Sequence, residues 1–158
     1  MNNRAILETT LKRATEKCQD HGEKLTPKRS LILRTMIEAG SPLSAYDIIN
    51  LMNSSHHALM PATSVYRILS FLESVDLVHK LSSENKYVAC EHISCHHQHE
   101  SPQFLICQKC NKVKEINISH SVIDEIKQHV KDSDYKLIDS VLEISCICKV
   151  CQMETNNT

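Results

Sequence analysis

Cys107-x-x-Cys110 and Cys148-x-x-Cys151 are two short chelating pairs in one chain. Each offers two thiolates that span adjacent corners of a tetrahedron, and four together close the coordination sphere of a zinc ion. A closed sphere has no open position for water, so the chemistry is structural rather than catalytic. Buried structural cysteines or a redox pair would suit one C-x-x-C better than two. The chain holds eight Cys and ten His; every Cys but Cys18 lies between residues 90 and 151. Cysteines paired in this way in a reducing compartment read first as metal ligands.

A second constellation is looser. His79 and Cys90 fall on the two arms of a predicted hairpin, near its base. His92, Cys95, His96, His97 and His99 follow, and Glu115 comes shortly after Cys110. One thiolate, two imidazoles and a carboxylate would form a mixed site, in which the thiolate favours zinc over harder Mn²⁺ or Fe²⁺. Its ligands would come from the hairpin, the His-rich stretch and the C-terminal part, so occupancy would orient one part against the other. A solvated His-rich loop is the bland alternative.

The elements that must position these groups are legible from periodicity. Leu7, Leu11, Ala14 and Cys18 mark a helix ending near Gly22; Thr26-Pro27 opens a second, which Gly40 stops. Ser44 and Asp47 have capping-box spacing ahead of a third helix, with a polar loop from Asn53 to His57. Pro61 opens a fourth helix, with Val65, Ile68, Leu69, Leu72 and Val75 apolar. Residues 77–81 and 86–90 read as two strands around a polar turn. Short helices followed by one hairpin is the order of a winged helix-turn-helix. Beyond it, strands at 103–107 and 112–118, a helix on Val122, Ile123, Ile126 and Val130, and a last strand over 135–145 make a small α/β domain. The fold class is α+β, with a winged helix-turn-helix over 1–90, a His/Cys-rich linker over 91–102, an α/β zinc-binding domain over 103–152 and a flexible tail over 153–158.

In such a motif the fourth helix would enter the major groove. Arg67 stands on its polar face with Thr63, Ser64 and Tyr66, and arginine bonds bidentately to guanine. Tyr46 opens the preceding helix; Lys28 and Arg29 open the one before it, within reach of phosphates or base edges. Net charge decides nothing here: 18 Lys+Arg against 19 Asp+Glu leave −1. Composition, with 41% hydrophobic residues, excludes wholesale disorder. No apolar run spans a membrane and the N-terminus lacks a signal-peptide core, so the expectation is a cytoplasmic protein without a membrane partner. No H-E-x-x-H helix, G-x-S-x-G turn or zinc-deaminase pattern occurs, so neither an enzyme nor a small-molecule substrate is expected.

Leu25-Thr-Pro-Lys-Arg29, Pro61-Ala-Thr-Ser-Val-Tyr-Arg67, the paired C-x-x-C and the His-rich stretch resemble the ferric uptake regulator family of dimeric, metal-dependent bacterial repressors. Ser44-Ala-Tyr-Asp47, Val78-His-Lys80, Tyr87-Val-Ala-Cys90 and His99-Glu-Ser101 are most similar to its zinc-uptake-regulator branch. The resemblance implies a C-terminal dimerisation domain, a structural zinc on Cys107, Cys110, Cys148 and Cys151, and a regulatory zinc on His79, Cys90, His99 and Glu115. His97 or His96 are alternates, because the stretch from Cys90 to Cys107 is longer than in that branch. It further implies that Arg67 and Tyr46 read operator bases. Ser140 stands where iron- and peroxide-sensing relatives carry a ligand histidine, and with Cys90 this favours zinc. Asn111 and Cys146 replace glycines, and Cys95 is also extra. The reading is therefore a homodimeric, zinc-responsive repressor of zinc-uptake genes, with two zincs per chain and double-stranded operator DNA as partner. An iron- or peroxide-responsive relative, or a zinc-binding thiol chaperone or zinc store, are its rivals.

Overall fold

The computed structural model describes residues 3–57, 59–94 and 102–155. Cys95, His96, His97 and His99 lie outside them. The chain divides into two compact units, Met1–His96 and His97–Thr158.

The first unit opens with α1 (Asn3–Asp20), α2 (Pro27–Ala39), α3 (Ala45–His56) and α4 (Ala62–Ser74). Each boundary has a local cause. Pro27 sits at the first position of α2, where its missing N–H costs nothing; Thr26 holds the extended N-cap backbone, although its hydroxyl makes no cap bond. Gly40 ends α2 in the left-handed region (φ 58°), which a side chain would strain. Ser44 Oγ accepts from Asp47 N at 3.1 Å while the Asp47 carboxylate accepts from Ser44 N at 2.8 Å, closing a capping box on α3. That helix runs on through the expected polar loop to His56, because Ser54 turns its hydroxyl onto the Leu51 carbonyl and left-handed His57 supplies the stop.

Apolar faces converge on one core: Leu11, Ala14 and Cys18 of α1, Ile32, Leu33 and Met36 of α2, Ile48 and Met52 of α3, and Val65, Leu69 and Leu72 of α4. The hairpin β1 (Val78–Leu81) and β2 (Lys86–Ala89) is antiparallel, with Leu81 opposite Lys86. A third edge comes from the α2–α3 connection, where Leu43 and Tyr87 exchange both backbone hydrogen bonds at 2.9 and 2.8 Å. Helices, a helix-turn-helix pair and a wing are thus joined in one winged-helix unit.

The second unit is a three-stranded sheet ordered β4-β3-β5. The central strand β3 (Gln103–Cys107) pairs antiparallel with β4 (Val113–Ile116) and parallel with β5 (Leu142–Cys146), to which α5 (His120–Asp132) crosses over. Two expectations change here. The last strand begins only at Leu142, not at Tyr135, because β5 is paired along the five residues of β3 alone. Asp139 accepts from Val141 N at 3.0 Å, a local turn that diverts the approaching backbone. The polar C-terminus, whose composition predicts a frayed tail, carries α6 (Lys149–Thr155). Gln152 holds it, donating to the Ile147 carbonyl at 2.6 Å. Among the described residues no helix is long and apolar enough to cross a membrane.

The bonds from Ser44 hold the Asp47 carboxyl below its ordinary range. A carboxylate with a lowered folded pKa contributes stability above its unfolded value, and that contribution fades as pH falls through the folded one. Ser44→Ala should cost about 1 kcal/mol at neutral pH. In urea melts repeated toward pH 3, the share of this deficit owed to the Asp47 charge should shrink; a pH-independent deficit would assign the whole effect to the Ser44 hydroxyl.

Candidate metal centre and nucleic-acid face

Cys107 ends β3 and Cys110 follows in a tight knuckle, closed by Cys107 N donating to Lys112 O at 3.0 Å and Asn111 N to Cys107 O at 2.9 Å. The knuckle needs a left-handed residue after the second cysteine, and Asn111 supplies it at φ 57°. On the other side Cys148 follows β5 and Cys151 lies in α6. Gln108 N donates to Cys146 O at 2.9 Å, so the two knuckles are tied by backbone as well. The four Sγ atoms all lie within 4.8 Å of one another. Cys110 and Cys148 are 3.7 Å apart, against about 3.8 Å for the edge of a tetrahedron with Zn–S bonds of about 2.3 Å.

Electrostatics within the cluster is uneven. Cys148 N donates to Cys107 Sγ at 3.3 Å; with the amides of Cys110 and Lys109 it draws the Cys107 thiol down to about 6. Cys151 is pushed up to about 12, first by its hydrogen bond with Cys148, then by burial and the other thiols. One sulfur is ready to ionise and another resists, so full ionisation requires a cation among them. Four sulfurs without an oxygen or open position fit a soft, tetrahedral ion such as zinc.

In the winged-helix unit, His79 on β1 is 8% exposed and Cys90, just past β2, 4%. Val78 pairs with Ala89, so Cys90 stands across from Leu77, and Cys90 N donates to Leu77 O at 3.0 Å. His79 is two residues along the opposite strand and shares that face of the hairpin. A ring nitrogen of His79 and Cys90 Sγ lie within 4.8 Å of each other. Two ligand types thus meet at the root of the wing. In the other unit Glu115 is a buried carboxylate on β4, opposite Phe104. His92 is half-buried in the turn after Cys90.

The surface of α4 presents Thr63, Tyr66 and Arg67 to solvent, with Ser64 half-buried beside them. Tyr46, in the first turn of α3, is 65% exposed, an unusual position for an aromatic ring without a partner surface. Lys28 is exposed in the first turn of α2. Arg29 is different: its guanidinium lies 3.3 Å from the centre of the Phe71 ring and donates to the Lys24 carbonyl at 2.7 Å. Sequence reasoning also missed Gln103, which donates to Ser140 O at 2.8 Å and accepts from Leu142 N at 2.6 Å. Both bonds join residues far apart in the chain, and no local spacing announces them.

Residues 20–145 match the model of the ferric uptake regulator family. The zinc uptake regulation protein of Escherichia coli is 34% identical over 141 residues, covering 89% of this chain and 80% of the relative. A peroxide-responsive repressor of Staphylococcus epidermidis is 27% identical over 138 residues, covering 85% of each. Among solved structures, a zinc uptake regulator complexed with zinc and DNA superposes with a TM-score of 0.82 at 28% identity, covering 96% of this chain and 98% of that one. The family model and a relative 34% identical over most of the chain agree with the winged-helix fold, and the chain belongs to the ferric uptake regulator family.

Proposed function

We propose that the protein is a zinc-responsive transcriptional repressor that binds operator DNA as a homodimer and represses zinc-uptake genes. The observation that carries this reading is the buried pair His79 and Cys90, a metal-competent site at the root of the wing in the unit that exposes Tyr46 and Arg67. His79, Cys90, Glu115 and His99, with His97 or His96 as alternates, would hold the regulatory zinc. Cys107, Cys110, Cys148 and Cys151 would hold the structural one. Four protein ligands leave no site for water, so each zinc would cross-link rather than catalyse. Thr63, Ser64, Tyr66, Arg67, Tyr46 and Lys28 form the face offered to DNA. The zinc-sensing reading is favoured over the iron- or peroxide-sensing one by the Cys90 thiol and by Ser140 at the position of a ligand histidine.

The homodimer is supported by α5. Ile123, Ile126 and Val130 form one half-buried stripe of it, and none of its residues is fully buried; Val122 and Ile144 are exposed. A unit this small with an apolar stripe only half covered gains a partner surface by pairing with a second copy.

The test of the repressor reading is recovery of sheared genomic DNA from the organism that carries the protein, at buffered free zinc or with chelator, at one salt concentration. Fragments upstream of transporter genes should be enriched only with zinc, by roughly 5–150-fold in affinity. His79→Ala with Cys90→Ser should abolish the zinc dependence; intact dependence would remove this pair from the switch. Enrichment with Fe²⁺ instead would favour the iron-sensing relative, and no enrichment with any metal would favour a thiol chaperone or zinc store.

The wild-type chain should bind two zinc equivalents and Cys110→Ser with Cys148→Ser one, with loss of far-ultraviolet structure and of melting temperature for the C-terminal unit. Unchanged stoichiometry would place no zinc on the four cysteines. Ile126→Asp should convert the dimer to a monomer in sedimentation equilibrium, and a monomeric wild type would refute the dimer directly.

A further inference from the structure

Arg29 stands at the N-terminal turn of α2 beside exposed Lys28, a place from which a basic side chain would reach phosphate. Its side chain is committed within the fold. The guanidinium lies face-on against Phe71, 3.3 Å from Cζ to the ring centre, its Nη1 donates to the Lys24 carbonyl at 2.7 Å, and the Glu23 carboxylate lies 3.5 Å away. Side-chain exposure is 26% for Arg29.

Phe71 belongs to α4, one turn beyond Arg67 on the same side of the helix. Val65, Leu69 and Leu72 are fully buried and set how deeply α4 sits in the core. Phe71 is only half-buried, at the edge of that face. Arg29 covers its outer side and, through Lys24, binds it to the α1–α2 loop. Lys17 adds a second tie from α1, donating to the Asp76 carbonyl just past the end of α4 at 2.9 Å. The buried residues hold the inner face of α4, and Arg29 adds a contact at the edge of that face.

We propose that Arg29 is a positioning residue that clamps the roll of α4, and hence the direction in which Arg67 leaves it, and is not itself a DNA contact. This rests on the DNA-binding reading above. A lysine keeps the charge but has no flat face to stack and no fork to hold a carbonyl at the same time, so it does not replace the arginine here.

The assay uses zinc-loaded full-length protein and a duplex selected from a random-sequence library by the wild type. Arg29→Lys and Phe71→Leu should each weaken binding by roughly 2–30-fold, the range of a partly buried cation–π interaction. The double variant should be no weaker than the poorer single one. Arg29→Ala should leave the slope of log affinity against log salt unchanged. Were Arg29 bound to a phosphate, Arg29→Lys would bind like wild type, and the salt slope of Arg29→Ala would be shallower by about 0.9 per protomer, or about 1.8 for the dimer. Either of those results, or additive single effects, overturns the proposal.

Amide exchange of α4 in DNA-free protein gives a readout that needs no operator. Arg29→Lys should accelerate exchange in the turn around Phe71 while the melting of the unit stays cooperative; unaltered exchange there also overturns the proposal. A wild type that selects no sequence refutes the DNA-binding reading, and the exchange measurement still decides whether the clamp exists.

Discussion

Four thiols gathered within 4.8 Å of one another cannot all become thiolates without a cation, and the C-terminal unit is built around that constraint. Its sheet has three short strands, and α5 buries no side chain. Apolar packing of this extent leaves a small domain marginal, and a metal cross-link would supply what its core does not. The knuckles sit where the link is most effective: one at the end of the central strand, the other after the strand that crosses back parallel to it. A single ion there would hold the register of β3 with β5 and the start of α6 together.

The winged-helix unit is stabilised in the opposite manner. Its core draws on all four helices and the wing, and its boundaries are set by caps and by left-handed residues whose chemistry is local. The same unit then places a thiol and an imidazole in its interior, at the root of a two-stranded wing. Buried polar groups of that kind have to be satisfied by hydrogen bonds or by a metal, and a pair of them within ligand distance of each other is a natural place to couple metal to the position of the wing. One unit would therefore use metal chemistry in place of a core, and the other has a core that would accommodate it.

This contrast explains what is legible in the sequence. Gly40, Ser44, Asp47 and Pro27 act within a few residues of themselves, and the helix boundaries they imply match the structure. The paired C-x-x-C is equally local in each half, and the fold brings the halves together. What depends on distant partners is invisible. Gln103 decides where β5 begins by bonding to Ser140 and Leu142, so hydrophobic periodicity alone makes that strand too long. The polar residues after Gln152 read as a tail, although α6 continues through them to Thr155, with the Gln152 amide on the Ile147 carbonyl. Arg29 reads as a residue within reach of phosphates or base edges, and no local spacing announces its aromatic partner two helices away.

The pairing of Leu43 with Tyr87 also makes the wing something other than a free flap. Two backbone hydrogen bonds weld it to the residue just before the Ser44 cap, so the wing and the first turn of α3 form one stiff piece. A displacement of the wing would therefore pull through those two bonds on the turn that carries Tyr46. Tyr46 is thus anchored on the same stretch of backbone as the wing, which sets where its side chain begins and leaves the ring its rotamers.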